Sequence, residues 1–259
     1  MAVAAASFDN LFILRNLVGT DFKVRYRNMS LGIFWSLIQP LIMMAVLTYV
    51  FTVLFPSPVK RFPLFVLVGM IPFNFFSLAW ATSTRSIVDN AHLIKKVPFR
   101  RELVPLAVVL GNAVHYFIQL GILLAVAAYF SGVTIFWLWL PVIVFLQLVL
   151  ATGASLFSAA LDVYYRDVRY VVESINMVLF WLVPIFYSFE QVQKSLSPKY
   201  LFIYELNPVA AMVLVTRRVL LNGESPGPTL LKFAAISLAS LLIGHFVFRR
   251  LQRNFSDYM

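Results

Sequence analysis

From Leu103 to Leu161 the chain carries no Asp, Glu, Lys or Arg, and the same holds from Asn28 to Val59. A helix of about 20 apolar residues crosses a bilayer. The shorter run therefore holds one span, and the longer holds two joined by a turn, which Ser131-Gly132 supplies. No soluble domain has a place for such stretches. The chain is 61% hydrophobic and 12% charged, against about 45–50% and about 25% in soluble domains.

The pattern predicts an all-α integral membrane protein, a single domain over 1–259 with six transmembrane helices. The first span runs from Leu31 to Phe55 and is broken by Pro56-Ser57-Pro58. The second covers Phe62 to Ser83, and the third and fourth share the long uncharged run. The fifth is expected over Tyr170 to Phe189 and the last over Thr229 to Phe248. No cleavable signal peptide is visible, because the apolar stretch from Met1 to Ser7 is too short, so the first span is expected to direct insertion.

The segments outside the spans carry their own patterns. Residues 8–29 mix Phe8, Leu11, Phe12 and Leu14 with Asp9, Arg15, Lys23, Arg25 and Arg27, the composition of a helix lying in the membrane interface. Residues 89–97, ended before Pro98, alternate Leu93, Ile94 and Val97 with Lys95 and Lys96 and predict a short amphipathic helix. Such a helix either lies on the membrane surface or docks into a groove on a partner. Between Glu190 and Gly227 the apolar stretches are too short to cross and are bounded by Pro198, Pro208, Pro226 and Pro228. They predict two short interfacial or re-entrant helices.

Six spans place Arg15, Lys23, Arg25, Arg27, the basic residues from Arg85 to Arg101, Arg166, Arg169 and the terminal Arg249, Arg250 and Arg253 on one side. Lys60, Arg61, Lys194, Lys199, Arg217, Arg218 and Lys232 fall on the other, half as many. The richer side faces the cytoplasm, so both termini are expected there. The net charge of +10 then belongs with anionic headgroups and not with nucleic acid.

Enzyme chemistry is mostly excluded. There is no cysteine, hence no thiolate nucleophile or thiolate metal site. Lys194-Ser195 lacks the glycines of a P-loop, so the chain has no such motif to hold ATP. His92, His115 and His245 have no ligand spacing, and no metal is expected. A membrane-embedded lipid-modifying enzyme would need carboxylates or histidines clustered at membrane depth, whereas Asp89, Glu102, Asp162, Asp167 and Glu173 all fall at span ends.

Two groups of polar and aromatic residues leave alternatives open. Asn112, His115 and Gln119 share one face of the third span, where they either line a hydrophilic path or hydrogen-bond neighbouring helices. Gln147, Ser155 and Ser158 of the fourth pose the same choice. Aromatics such as Phe73, Phe76 and Trp181 either form interfacial belts or offer faces to sugar rings along a path.

Taken together, Lys23-Val-Arg-Tyr-Arg-Asn-Met-Ser-Leu-Gly-Ile-Phe-Trp-Ser-Leu-Ile-Gln-Pro40, Asn90-Ala-His-Leu-Ile-Lys-Lys96 and Val163-Tyr-Tyr-Arg-Asp-Val-Arg-Tyr170 resemble the permease subunits of polysaccharide ABC exporters. Pro184-Ile-Phe-Tyr187, Leu206-Asn-Pro208 and Phe248-Arg-Arg-Leu251 extend the likeness over essentially the whole chain. The resemblance implies a homodimer in the bacterial inner membrane, joined to two copies of a separate ATPase subunit that holds ATP and Mg and exporting a lipid-linked glycan. O-antigen is the first cargo implied; teichoic acid, capsule or a small amphiphile are alternatives. It further implies that Asn90, His92, Leu93, Ile94, Lys95 and Lys96 form a coupling helix to the ATPase, with Arg166, Asp167 and Arg169 a second cytoplasmic contact. By the same likeness the 8–29 helix is an interfacial gate for a lipid-linked substrate and residues 190–222 are extracytoplasmic gate helices; within that first helix Arg25 and Arg27 are the candidates to meet the pyrophosphate of an undecaprenyl carrier.

Overall fold

The computed structural model describes residues 10–25 and 34–258, and among them there is no strand. Four helices are long and apolar enough to cross a membrane, by length and composition. These are α3 (Phe62–Thr84), α6 (Leu103–Ser131), α7 (Leu140–Asp162), preceded by a 3-10 turn over Ile135–Trp139, and α12 (Pro228–Leu251). They fall where the second, third, fourth and sixth spans are expected. Helix α6 stops at Ser131 because Gly132 takes φ 78°, a left-handed value open to a residue without Cβ.

The other two expected spans are shorter. Helix α2 (Trp35–Tyr49) continues as a π-helical turn over Val50–Leu54 and ends before Pro56. Helix α8 (Val168–Leu182) has 15 residues, a rise of about 22 Å at about 1.5 Å per residue, below the hydrocarbon thickness of about 30 Å. It does not continue to Phe189 as expected. Val183, the residue before Pro184, takes φ −78°, ψ 138°, the extended geometry that proline imposes on its predecessor. The chain then turns inward, so that Val183 and Ile185 are fully buried. The Tyr187 hydroxyl donates to the carbonyls of Leu182 (2.7 Å) and Trp181 (3.0 Å), satisfying acceptors left open at the end of the helix.

The remaining helices are short. Helix α1 (Asn10–Arg25) packs along α6, while α4 (Ser86–Asp89) and α5 (Ala91–Lys96) join α3 to α6. Three helices, not two, follow α8: α9 (Phe189–Ser195), α10 (Pro198–Glu205) and α11 (Pro208–Arg217), the last extended by a π-turn over Arg218–Asn222. The chain closes with α13 (Phe255–Tyr258).

The main apolar core gathers around α3, which packs against α2, α6, α7, α8 and α11. The tightest crossing is that of α7 with α12. A Cβ on Gly244 would lie 2.1 Å from the Gly153 carbonyl oxygen, and one on Gly153 would lie 2.5 Å from the Leu241 amide nitrogen. Two glycines thus let the backbones touch, the usual route to association where lipid supplies no hydrophobic drive between helices.

Candidate functional site

A second, smaller apolar cluster lies at one end of the bundle, and the expected contact segments converge on it. Ile87, Ile94, Val104, Leu156, Val163, Phe248 and Phe255 form its core, with Leu17 of α1 and Tyr164 packed against it. The cluster thus draws on the feet of α6, α7 and α12 as well as on α1, α4, α5 and α13.

Helix α5 is fixed there through one side chain. Ile94 is buried, whereas His92, Lys95 and Lys96 are exposed and Leu93 is half-buried. The alternation read from the sequence becomes an anchor on one face and a presented surface on the other. Burying Ile94 stabilises the docked helix by about 2 kcal/mol. Two local contacts set its approach: the Asn90 side-chain amide donates to the Ser86 carbonyl (2.8 Å), and Arg85 pairs with Asp89 (3.4 Å). Val97 is extended before Pro98 and ends the helix.

The segment after α7 reaches the same end. Arg166 and Asp167 are exposed, and the Arg169 guanidinium lies 4.2 Å from the Tyr170 ring centroid. The Tyr164 hydroxyl donates to the Leu251 carbonyl (2.8 Å), and its ring meets those of Phe255 and Tyr258. The Thr84 and Ser158 hydroxyls share a 2.8 Å hydrogen bond that fastens α3 to α7 nearby. Of the two arginines expected to meet a phosphate linker, Arg25 ends α1, and Arg27 lies outside the described residues.

At the opposite end α11 packs on α3, and α10 packs on α11. Asn207 caps α11, its side-chain oxygen accepting from the Val209 (3.0 Å) and Ala210 (3.3 Å) amides. Lys232 of α12 pairs with Glu205 of α10 at 2.7 Å. Arg217, the last residue of α11, is 6% exposed. Its guanidinium donates to the carbonyls of Pro184, Ile185 and Phe65 and lies 3.5 Å from the Phe65 ring centroid. Burial pushes this group down to about 9, so it is still a cation at neutral pH. A Cβ on Gly69 would lie 2.8 Å from it, which is why α3 has no side chain there.

The polar and aromatic residues of the spans fall mostly inside the bundle. Asn112 donates to Thr82 Oγ1 (3.0 Å) and to the Val108 carbonyl (2.8 Å), and His115 is buried. Gln147, fully buried, accepts from the Tyr116 hydroxyl and donates to Thr216 Oγ1 at 3.4 Å, linking α6, α7 and α11. Gln119 borders a small apolar cleft with Pro40 and Leu67. Phe73 and Phe76 are buried in the core, their rings tilted against those of Phe180 and Trp80, while Trp181 is exposed. Among the described residues no group of three or more His, Cys, Asp or Glu is placed to hold a metal ion.

Four helices of spanning length, with α5 and the terminal arginines gathered at one end, make a helical membrane bundle. A family profile described as ABC-2 type transporter matches residues 14–221. The chain belongs to the ABC-2 transporter family. It is 26% identical over 260 residues to the O-antigen export system permease protein RfbA of Klebsiella pneumoniae, covering 97% of this chain and 95% of that one. The RfbA of Myxococcus xanthus is 27% identical over 247 residues, covering 95% and 94%. The polysialic acid transport protein KpsM of Escherichia coli is 26% identical over 246 residues, covering 88% and 89%.

Two features of this ABC-2 permease escape a reading of the sequence. Arg217 counts there only as a loop charge, although it ends the uncharged stretch Val209 to Thr216 with no acidic neighbour in sequence. Gly153 and Gly244, far apart in sequence, show their pairing only once α7 and α12 cross.

Proposed function

We propose that this ABC-2 permease is the membrane subunit of an ATP-driven exporter of a lipid-linked polysaccharide, with O-antigen the cargo. The observation that carries this reading is the convergence of α5, Val163 and Tyr164 just before the Arg166 loop, and the feet of three spanning helices on one apolar cluster. A push on the exposed face of α5 acts through Ile94 on α6, α7 and α12 together, which suits rigid-body switching between two arrangements of the spans. The O-antigen assignment draws on the relatives named for that export, which match nearly end to end. KpsM supports a second reading, a capsule polymer of sialic acid type.

In this account two permeases assemble in the bacterial inner membrane with two copies of an ATPase subunit, which binds ATP and Mg and docks on α5. The α5 end faces the cytoplasm, in keeping with its excess of Lys and Arg, and both termini lie there. Helices α2 and α8, with the turn from Val183 to Tyr187 carrying α8 further, take the remaining two of six span positions. They carry the seam between copies, since Leu41, Ile42, Val46, Tyr49, Met177 and Trp181 are exposed on them. The glycan passes along this seam beside Trp181, and the buried Phe73 and Phe76 support the wall from behind. Arg25 and Arg27 receive the pyrophosphate of the carrier lipid. Helices α9 to α11, held by Arg217, close the extracytoplasmic side.

Export in a strain lacking the chromosomal copy tests this. Full-length chain restores surface polysaccharide, and Arg25→Ala with Arg27→Ala lowers it while the complex still assembles. Intact surface polysaccharide in the strain without the permease refutes the assignment.

A further inference from the structure

Beside the α5 platform, between the start of α6 and the end of α12, an open cavity of about 440 Å³ is lined by Arg100, Arg101, Arg249 and Arg253 with Glu102 among them. Glu102 is already shared. It accepts from Arg249 Nε at 3.2 Å and lies 3.6 Å from Arg100 Nη2 and 3.7 Å from His245 Nδ1. Arg101 is held in place, donating to the Gln252 carbonyl at 2.6 Å with its guanidinium 5.9 Å from the Phe255 ring centroid. Four cations against one carboxylate leave an excess positive charge of three in one cavity. Each cation is an arginine, whose planar fork binds phosphate oxygens two at a time, which an ammonium does not do.

An apolar track leads into this cavity. Leu231, Leu238, Leu242 and Phe246 recur at helical spacing along α12 and are exposed, and Arg249 and Arg253 continue the same face. Leu238 to Arg249 spans about 16 Å at about 1.5 Å per residue, close to the roughly 15 Å depth of one leaflet's hydrocarbon. A soluble anion has no use for that track, whereas an amphiphile needs both parts.

We propose that this cavity binds the phosphate headgroup of an anionic phospholipid in the leaflet at the α5 end, with its acyl chains along Leu238, Leu242 and Phe246. The site rests on the membrane reading of α12, and on the proposed function only for naming that leaflet cytoplasmic. It lies next to the cluster shared by Ile94 and Phe248, so an occupied headgroup site would steady the foot of α12 where α5 is anchored.

Native mass spectrometry of the full-length permease, offered equal phosphatidylglycerol and phosphatidylcholine, tests the site, with inorganic pyrophosphate as a soluble competitor. The unaltered chain retains phosphatidylglycerol over phosphatidylcholine by about tenfold, as expected for a cluster of surface cations. Arg253→Gln lowers that preference, and Arg100→Gln with Arg253→Gln brings it near one, while Lys194→Gln with Lys199→Gln leaves it unchanged. Millimolar pyrophosphate does not displace the lipid. An undiminished preference in the double variant overturns the proposal, as does a permease that binds pyrophosphate in preference to phosphatidylglycerol. Export is scored separately, so losing lipid preference leaves the exporter reading intact, and losing export with the preference intact leaves this site standing.

Discussion

Arg217 ties together three parts of the chain that a hydropathy profile keeps apart: the start of α3, the break after α8 and the end of α11. Three carbonyls depend on one guanidinium, and two of them belong to the Pro184-Ile185 turn. Replacing Arg217 by Met leaves these acceptors unpaired in an apolar setting, at a cost of about 3 kcal/mol. The expected result is a lower unfolding temperature of the detergent-solubilised chain, recovered in part by Arg217→Lys; equal unfolding temperatures contradict the role. On α5 the residues separate by exposure. His92→Glu with Lys96→Glu alters exposed positions and leaves stability within about 0.5 kcal/mol, yet is expected to abolish ATPase association in a pull-down. Retained association shows that the partner binds elsewhere. The alternation around Ile94 was legible because amphipathic period is a sequence property. The burial of Arg217 was not, because nothing local says that a basic residue after an apolar stretch turns inward.

Among the elements, the spans with long uncharged runs were readable and the short ones less so. Helices α3, α6, α7 and α12 emerge from length and hydropathy alone. The early end of α8 had a sequence signal, Val183 before Pro184, but apolar residues beyond the proline outweigh it in any averaged window. Glu190 to Gly227 reads as two short helices where three form: Pro198 and Pro208 start α10 and α11, while Ser188, ahead of the segment, caps α9. The crossing of α7 and α12 depends on a close backbone approach that becomes visible only in three dimensions. Gly244→Val forces those backbones apart and is expected to destabilise by at least about 2 kcal/mol, whereas Gly121→Ala, with nothing within 4 Å of its Cβ position, is tolerated. Thermal unfolding monitored by size-exclusion fluorescence checks both; equal stability of Gly244→Val and the unaltered chain contradicts the crossing.

For the whole molecule, the bundle has two unlike ends, one bearing α5, the Arg166 loop and the terminal arginines, the other Arg61 and α9 to α11. The cysteine-free chain makes the assignment of these ends to membrane sides directly measurable. A cysteine at Lys199 is expected to react with an impermeant thiol reagent from outside the cell, and one at Lys96 only after permeabilisation; the reverse pattern inverts the topology. The membrane character, the family and the polar end were legible in the sequence, because charge must leave hydrocarbon wherever it occurs. Which aromatics are buried was not, since Phe73 and Trp181 look alike in sequence and differ in what packs against them. In the proposed function this permease couples a separate ATPase to a lipid-linked polysaccharide. That coupling is tested most directly by purifying the permease with its candidate ATPase and measuring ATP hydrolysis with and without that glycan. A stable complex is expected, with hydrolysis that rises with the lipid-linked polysaccharide, whereas the His92→Glu, Lys96→Glu variant neither retains the ATPase nor shows that rise. An ATPase that neither co-purifies with the permease nor responds to the substrate would contradict the coupling.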